Sequence, residues 1–262
     1  MPTTLERILA TTRATLPALH TRRSEIEASA LQAPAPPRLL SRWTPTRLAL
    51  IAEVKRRSPS AGTISAGLDP VGHGIAYARA GASAISVLTD GPYFGGSLED
   101  LREVARAVPV PVLRKDFILD ELQITEARAA GAAAILLIVR ALSPTRLAEL
   151  LAVARSMGLD ALVEAHDARE LDVALAAGAE LIGINSRNLD DFRIDIAGSW
   201  ALIGRIPPDR VAIAESGMAS EADVQRAAEA GADGVLIGTA LSGAADPAGL
   251  VAALSSVERQ GR

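Results

Sequence analysis

Residues 79–88 read RAGASAISVL, and the same form returns as AAGAAAILLI at 129–138, AAGAELIGIN at 176–185 and EAGADGVLIG at 229–238. Each copy joins the end of a helical stretch to an apolar run through Ala-Gly-Ala. Gly81, Gly131, Gly178 and Gly231 fit the left-handed residue that stops a helix, where the missing Cβ removes a steric penalty. These glycines fall about 50 residues apart, room for two βα units.

The apolar runs extend beyond these four copies. They are LALIAEV (48–54), SAISVLT (83–89), VPVLRKDF (110–117), AAILLIV (133–139), DALVEA (160–165), LIGINS (181–186), RVAIAES (210–216) and DGVLIGT (233–239). Between most of them lie stretches of helical spacing such as LEDLREVARAV (98–108) and SPTRLAELLAVARSMG (143–158). Strands alternating with helices predict parallel βα units, and eight of them predict a (β/α)8 TIM barrel over residues 48–262. An open doubly wound sheet is the competing topology, but no GxGxxG loop follows the first run. Upstream, Leu5, Ile8, Leu9, Leu16 and Leu19 recur every three or four positions until APAPP at 33–37 ends any helix. Residues 1–47 therefore read as an N-terminal helical extension and connector to a single catalytic domain.

Composition narrows the function. The chain has 262 residues, a formal net charge of −4, 49% hydrophobic residues and only 3% aromatics, so the core is built from Ala, Val, Ile and Leu. The mild acidity gives no support for a nucleic-acid partner. The absence of cysteine excludes disulfides, thiolate metal sites and a Cys nucleophile, and fits a cytoplasmic protein. The N-terminus lacks the apolar core of a signal peptide, with Glu6 interrupting it. No window approaches the ~18 apolar residues of a membrane span. The three histidines are too few and too scattered to suggest a zinc site.

A TIM barrel carries its active site at the C-terminal ends of its strands. Several polar residues cluster there. The first run ends with Glu53 and Lys55, the third with Lys115, the fifth with Glu164, the sixth with Asn185 and Arg187, and the seventh with Glu215. Residues i and i+2 of a strand share a face, so Glu53 and Lys55 point the same way, which a buried strand permits only if they are paired or used. Converging acids and bases perturb each other's protonation and support proton transfer. Arg114 and Asp116 flank Lys115 and should point outward in structural roles. At the seventh and eighth runs, Ser216, Gly217, Gly238 and Thr239 place small residues and hydroxyls where such barrels commonly bind phosphate. SPSAG at 58–62 reads as a flexible loop over the site, with Ser58 as a further phosphate donor. His166, following the fifth run, is within reach of the site but is expected rather to cap the next helix or stay near the surface. Trp43 has two readings, a cover over the site or packing on the barrel, of which packing is expected; neither residue receives a function.

With these residues in place, the chain resembles the indole-3-glycerol-phosphate synthase family. The similarity runs from about residue 48 to 250 and is carried by IAEVKRRSPSAG, ISVLTDGPYFGGSLEDL, PVLRKDFILDELQITEARAAGA, LVEAHDAREL, IGINSRNL, AESGM and GVLIGTAL. The first and third are highly specific, because charged and small residues must agree at fixed spacing. The connector LQAPAPPRLLSRW is shorter and more proline-rich than the family's usual stretch. The resemblance implies conversion of 1-(2-carboxyphenylamino)-1-deoxyribulose 5-phosphate to indole-3-glycerol phosphate in tryptophan biosynthesis, with loss of CO2 and water and with no metal or organic cofactor. It implies Lys115 as the acid on the ketone oxygen and Glu164 as its acid–base partner. Lys55 would hold the substrate carboxylate and serve dehydration, and Glu53 would position Lys55 and act as a base. Asn185 and Glu215 would bind hydroxyls or support the intermediate, and Arg187 would be a further substrate contact. Phe94 and Phe117 would pack on the aryl ring, and Ser58, Ser216, Gly217, Gly238 and Thr239 would hold the phosphate. The partner is then a small sugar phosphate, with the protein a monomer or weak homodimer. Two rivals stay open: a Schiff-base aldolase using Lys115, and a non-catalytic sugar-phosphate-binding protein.

Overall fold

The computed structural model describes residues 3–44 and 46–261. Met1, Pro2, Pro45 and Arg262, which fall within the expected extension and barrel segments, lie outside the described residues. Eight parallel strands close into a barrel: β1 (Ala49–Val54), β2 (Ala84–Leu88), β3 (Val112–Lys115), β4 (Ala134–Ile138), β5 (Asp160–Ala165), β6 (Leu181–Asn185), β7 (Val211–Glu215) and β8 (Gly234–Ile237), with β8 pairing back to β1. The (β/α)8 TIM barrel and its helical N-terminal extension are therefore as expected.

Two helices precede the barrel, α1 (Thr4–Thr21) and α2 (Arg23–Gln32). Ten more α-helices come after β1 among the described residues: α3 (Pro70–Arg79), α4 (Gly91–Phe94), α5 (Leu98–Ala107), α6 (Glu121–Ala129), α7 (Pro144–Ser156), α8 (Ala168–Ala176), α9 (Ile196–Ile203), α10 (Glu221–Glu229), α11 (Thr239–Ser242) and α12 (Pro247–Leu254). Except for α11, which starts at Gly238, their starts are set by short polar caps; Asp120, for example, accepts the N–H of Leu122, and Ser220 that of Asp223. The ends of α3, α6, α8 and α10 follow the repeat: Gly81, Gly131, Gly178 and Gly231 have φ of +108°, +88°, +77° and +93°.

Alternation along the strands sorts residues into two cores. Outward residues such as Leu50, Val87, Leu137 and Val163 pack under the helices. Inward residues fill the barrel. Ile51, Leu113, Leu162 and Ile213, one from each odd strand, are completely buried there. Burying each such side chain contributes about 1.5–3 kcal/mol. Two residues further along the same strands stand Glu53, Lys115, Glu164 and Glu215. A TIM barrel stacks its interior in layers of four drawn from alternate strands. Here one layer is aliphatic, and the layer above it is ionic.

The N-terminal segment brackets the barrel. Helix α1 lies at the C-terminal ends of the strands: Thr11 Oγ1 is 3.0 Å from Tyr93 Oη, and His20 is 3.2 Å from Asp120. The connector then reaches the opposite end, where Leu39 is fully buried and Asp160, at the start of β5, accepts from Arg38 Nε (2.8 Å) and the Leu40 N–H (3.0 Å). Arg42 donates to the Pro109 carbonyl just before β3, so neighbouring Trp43 packs on the barrel floor, far from the strand ends. Asp160→Ala is expected to lower stability by about 1–3 kcal/mol, mainly through the stranded Leu40 N–H, since Arg38 is over half exposed and its ion pair is screened. Denaturant midpoints check this; kcat in the folded protein should be unchanged because Asp160 lies at the end of the barrel away from the ionic layer.

Candidate active site

The ionic layer forms the floor of a cavity of about 350 Å³ at the C-terminal end of the barrel. Every site residue expected from the sequence lines it: Glu53, Lys55, Ser58, Phe94, Lys115, Phe117, Glu164, Asn185, Arg187, Glu215, Ser216, Gly217, Gly238 and Thr239. Leu88, Leu136, Ile138 and Leu189 line it too, although three of these read as ordinary strand core in the sequence.

Lys115 is the centre. Its Nζ lies 2.6 Å from Glu215 Oε2 and 3.2 Å from Glu164 Oε2. Burial pushes the ammonium down, but Glu215, Glu164 and Glu53 outweigh it and hold Lys115 protonated well above the usual lysine range. Desolvation alone would favour the neutral amine; the carboxylates decide. Burial also raises both glutamates. For Glu164 the attraction of Lys115 and His166, with a hydrogen bond from Asn185, reverses this and keeps it ionised. Glu215 is pushed up to about 7, because burial and the negative charge of Glu164 exceed what Lys115 returns. Three carboxylates around one ammonium cannot all stay charged cheaply in a dry site, and the cost falls on Glu215. Its Oε1 is buried without a hydrogen-bond donor among the described residues.

Glu53 and Lys55 pair directly, Oε1 to Nζ 2.8 Å. Burial raises Glu53, yet Lys55 and Lys115 bring it below the usual carboxylate range. Ser242 of α11 ties this end of β1 in place: its Oγ accepts the Lys55 N–H and donates to the Glu53 carbonyl, both at 3.2 Å. A lone serine in GTALSG carries no sequence signal for that task.

Two glycines make the ionic layer possible. A Cβ on Gly183 would lie 2.0 Å from Glu215 Oε1, and one on Gly238 would lie 2.3 Å from Glu53 Oε1. Gly238 therefore gives Glu53 and Lys55 their room, besides standing in the turn after β8. In the turn after β7, Ser216 and Gly217 both adopt the left-handed region, with φ of +67° and +75°. Such consecutive residues turn backbone N–H groups toward one point, a shape suited to an anion.

The segment 58–62 forms the turn of a short hairpin. Arg57–Ser58 pairs antiparallel with Gly62–Thr63, and Ser58 Oγ accepts the Ala61 N–H at 3.2 Å. Gly62, at φ +66°, permits the tight return. The rings of Phe94 and Phe117 stand 6.0 Å apart, tilted by 37°, and form an apolar wall. Arg187 is half-buried, donates to the Phe192 carbonyl at 3.4 Å, and faces no carboxylate among the described residues; burial lowers its pKa. Arg114 points outward as expected, bonding Asp116 and Glu126, both at 3.0 Å.

The expectation for His166 fails in part. Its backbone N–H does bond Glu170, but the side chain is not near the surface: it is only 4% exposed and enters the site's rear wall. Asp167 is the cap of α8, accepting from the N–H groups of Arg169 and Glu170 at 2.9 Å, which leaves His166 free to turn inward. There it lies between carboxylates two residues before and four residues after it, Glu164 and Glu170. That spacing in EAHDARE was the available signal. Among the described residues no group of His, Asp and Glu is arranged to hold a metal ion, and no helix is long and apolar enough to cross a membrane.

A family model described as indole-3-glycerol phosphate synthase matches residues 5–254. Curated proteins of that name are similar. One from Desulfosudis oleivorans is 51% identical over 75% of this chain and 75% of that protein. One from Chlorobium luteolum is 52% identical over 78% of each. The indole-3-glycerol phosphate synthase 2 of Streptomyces coelicolor is 49% identical over 86% of this chain and 88% of that protein. Among solved structures, a 3-hexulose-6-phosphate synthase aligns with TM-score 0.62 at 19% identity, over 80% of this chain and 99% of that one. A thiamine phosphate pyrophosphorylase from Pyrococcus furiosus aligns with TM-score 0.60 at 17% identity, over 80% and 94%. At such identities these two speak for the fold alone.

Proposed function

Because the chain belongs to the indole-3-glycerol phosphate synthase family, we propose that the ionic layer and the apolar wall above it carry out the family's decarboxylating ring closure. The observation that supports this most is Lys115: a buried ammonium aimed into an aryl-sized cavity from between two glutamates. The substrate is 1-(2-carboxyphenylamino)-1-deoxyribulose 5-phosphate. Its phosphate would sit against Ser58, the Ser216–Gly217 turn, Gly238 and Thr239. Its aryl ring would stack by Phe94 and Phe117, and its carboxylate would meet Lys55 and Arg187.

In that pose the aryl carbon bearing the carboxylate attacks the ketone carbon. The carbonyl electrons move to oxygen, which takes a proton from Lys115. A fixed ammonium is strongest where charge develops, in a site closed to water. The carbon–carboxylate bond then breaks, releasing CO2 and returning its electrons to the ring. Lys55 protonates the departing hydroxyl, and Glu53, 2.8 Å from Lys55, takes the proton lost as the indole forms. Asn185 and Glu215 hold the sugar hydroxyls, and Glu215, poised near neutrality, resupplies Lys115.

The pure protein should generate indole fluorescence from this substrate in the presence of a metal chelator. A folded protein that stays dark would refute the assignment. The aldolase alternative needs Lys115 as a neutral amine, and its carboxylates favour the opposite state; borohydride added with substrate should therefore leave no adduct on Lys115. A trapped lysine would reverse that conclusion. We further read the barrel of residues 48–262 with its extension as one domain, acting in the cytoplasm, where phosphorylated intermediates are retained. A monomer or weak homodimer fits the scarcity of exposed large apolar side chains, Leu31 and Ile194 being those described; sedimentation would test it.

A further inference from the structure

Behind Glu164 runs a line of alternating charge that the mechanism above does not use. His166 Nε2 lies 3.3 Å from Glu164 Oε1, the oxygen turned away from Lys115. On its other side, His166 Nδ1 is 3.0 Å from Glu170 Oε2, and the His166 backbone N–H donates to that same oxygen at 2.8 Å. Arg140, after β4, donates from Nε to Glu170 Oε1 at 2.7 Å. The order is Lys115, Glu164, His166, Glu170, Arg140: cation, anion, cation, anion, cation.

A neutral imidazole has one donor and one acceptor, so it cannot serve two carboxylates. Only the doubly protonated ring suits both neighbours. Burial opposes that charge, but Glu164 and Glu170 exceed it and raise His166 to about 9, with Arg140 opposing weakly. The Nε2 contact is an ion pair rather than an aligned hydrogen bond, since no partner among the described residues meets hydrogen-bond geometry at that atom. A ring held at Nδ1 and at its own backbone has little freedom, and it can transmit that rigidity to Glu164.

We propose that His166 is a positioning residue for the ring closure: anchored by Glu170, its imidazolium orients Glu164 and keeps it a carboxylate toward Lys115. The role rests on the family reaction taking place at this barrel mouth. It divides the two glutamates around Lys115. Glu164, backed by a second cation, stays ionised; Glu215, with no such backing, carries the exchangeable proton.

His166→Gln tests it by steady-state kinetics across pH with the carboxyphenylamino ribulose phosphate. The groups facing His166 are Glu164 on β5, Glu170 on α8 and Arg140 after β4, with Lys115 and Glu215 beyond Glu164. Removing the imidazolium takes a positive charge from Glu164 alone among the catalytic groups. KM should stay within about threefold, kcat should fall about 10- to 100-fold at pH 6.5, and the acid limb of the kcat profile should move up by about one pH unit. Glu170→Gln should shift the same limb in the same direction, and it carries the test if His166→Gln does not fold. A mere packing role would lower the thermal midpoint and leave the pH profile of the folded enzyme superimposable on wild type; that result would overturn the proposal. Nitrogen NMR of the imidazoles gives a readout without turnover. The chain has three histidines, so the His166 signals are assigned by their loss in His166→Gln. Both His166 nitrogens should remain protonated through pH 8, and Glu164→Gln should bring that titration down; a ring titrating near the ordinary 6.5 overturns the proposal. Absence of product from wild type would sink the family assignment and this role with it. Product with an unshifted variant profile would sink the role alone.

Discussion

Lys115→Met is expected to lower kcat by about a thousandfold or more while leaving inorganic phosphate binding within about threefold of wild type. The methylene stem is replaced by a side chain of similar volume, so the cavity keeps its shape. What disappears is the ammonium that donates to the ketone oxygen. The turns after β7 and β8 are separate from it and should still bind phosphate. Turnover near wild type would place the acid elsewhere, with Lys55 the next candidate.

The same variant has a stability signature. In wild type, Glu164 is held below the usual range, so its contribution is present above the unfolded carboxylate pKa and is lost as pH falls through the lowered folded value. Glu215 has the opposite sign. Raised to about 7, it contributes stability at low pH that is lost as pH rises from the unfolded value near 4.5 to about 7. Without Lys115 no cation among the described residues pairs with Glu215, and its folded pKa moves further up. Lys115→Met should therefore lose more stability at pH 8 than at pH 5.5, read as thermal midpoints. A variant equally destabilised at both values would mean that the glutamates do not sense the lysine.

Much of this site is written in the sequence as a two-residue rhythm. Ile51-x-Glu53, Leu113-x-Lys115, Leu162-x-Glu164 and Ile213-x-Glu215 each place an aliphatic residue and then an ionic one on the same face of an odd strand. Period two assigns the face, and the position at the end of each run assigns the height, so these residues could be gathered before any coordinates. The barrel itself followed from eight apolar runs alternating with helical stretches, and the Ala-Gly-Ala repeat marked a left-handed helix stop before four of them, β2, β4, β6 and β8. The residues that escaped act across the fold. Ser242 joins α11 to β1, and Asp160 joins β5 to the connector; partners 187–189 and 120–122 residues away leave no local pattern. His166 was legible in part, since Glu170 lies within one helical turn, but its direction depended on Asp167 taking the cap.

Gly183 is the sharpest case of a missing side chain doing structural work, and Gly183→Ala should be the more damaging of two small changes in the barrel. A glycine within a strand often marks close approach by another group. Here that group is the Glu215 carboxylate, with Leu162 Cδ1 at 3.2 Å from the same notional Cβ. Gly183 pairs with Glu164 on one side and Ile213 on the other, so its backbone is fixed by both neighbouring strands and cannot retreat. Glu215 must swing instead, and that breaks its 2.6 Å contact with Lys115. The expected result is a loss of at least about 100-fold in kcat, with overpacking lowering stability by about 1–3 kcal/mol. Phosphate affinity should hold, because Ser216 and Gly217 lie beyond the displaced side chain. Gly238→Ala presses on Glu53 and Lys55 instead, and it should lower turnover with a rise in KM, since Lys55 faces the substrate carboxylate. If Gly183→Ala retains wild-type kcat, then the Lys115–Glu215 contact is dispensable and Glu164 alone supports the lysine.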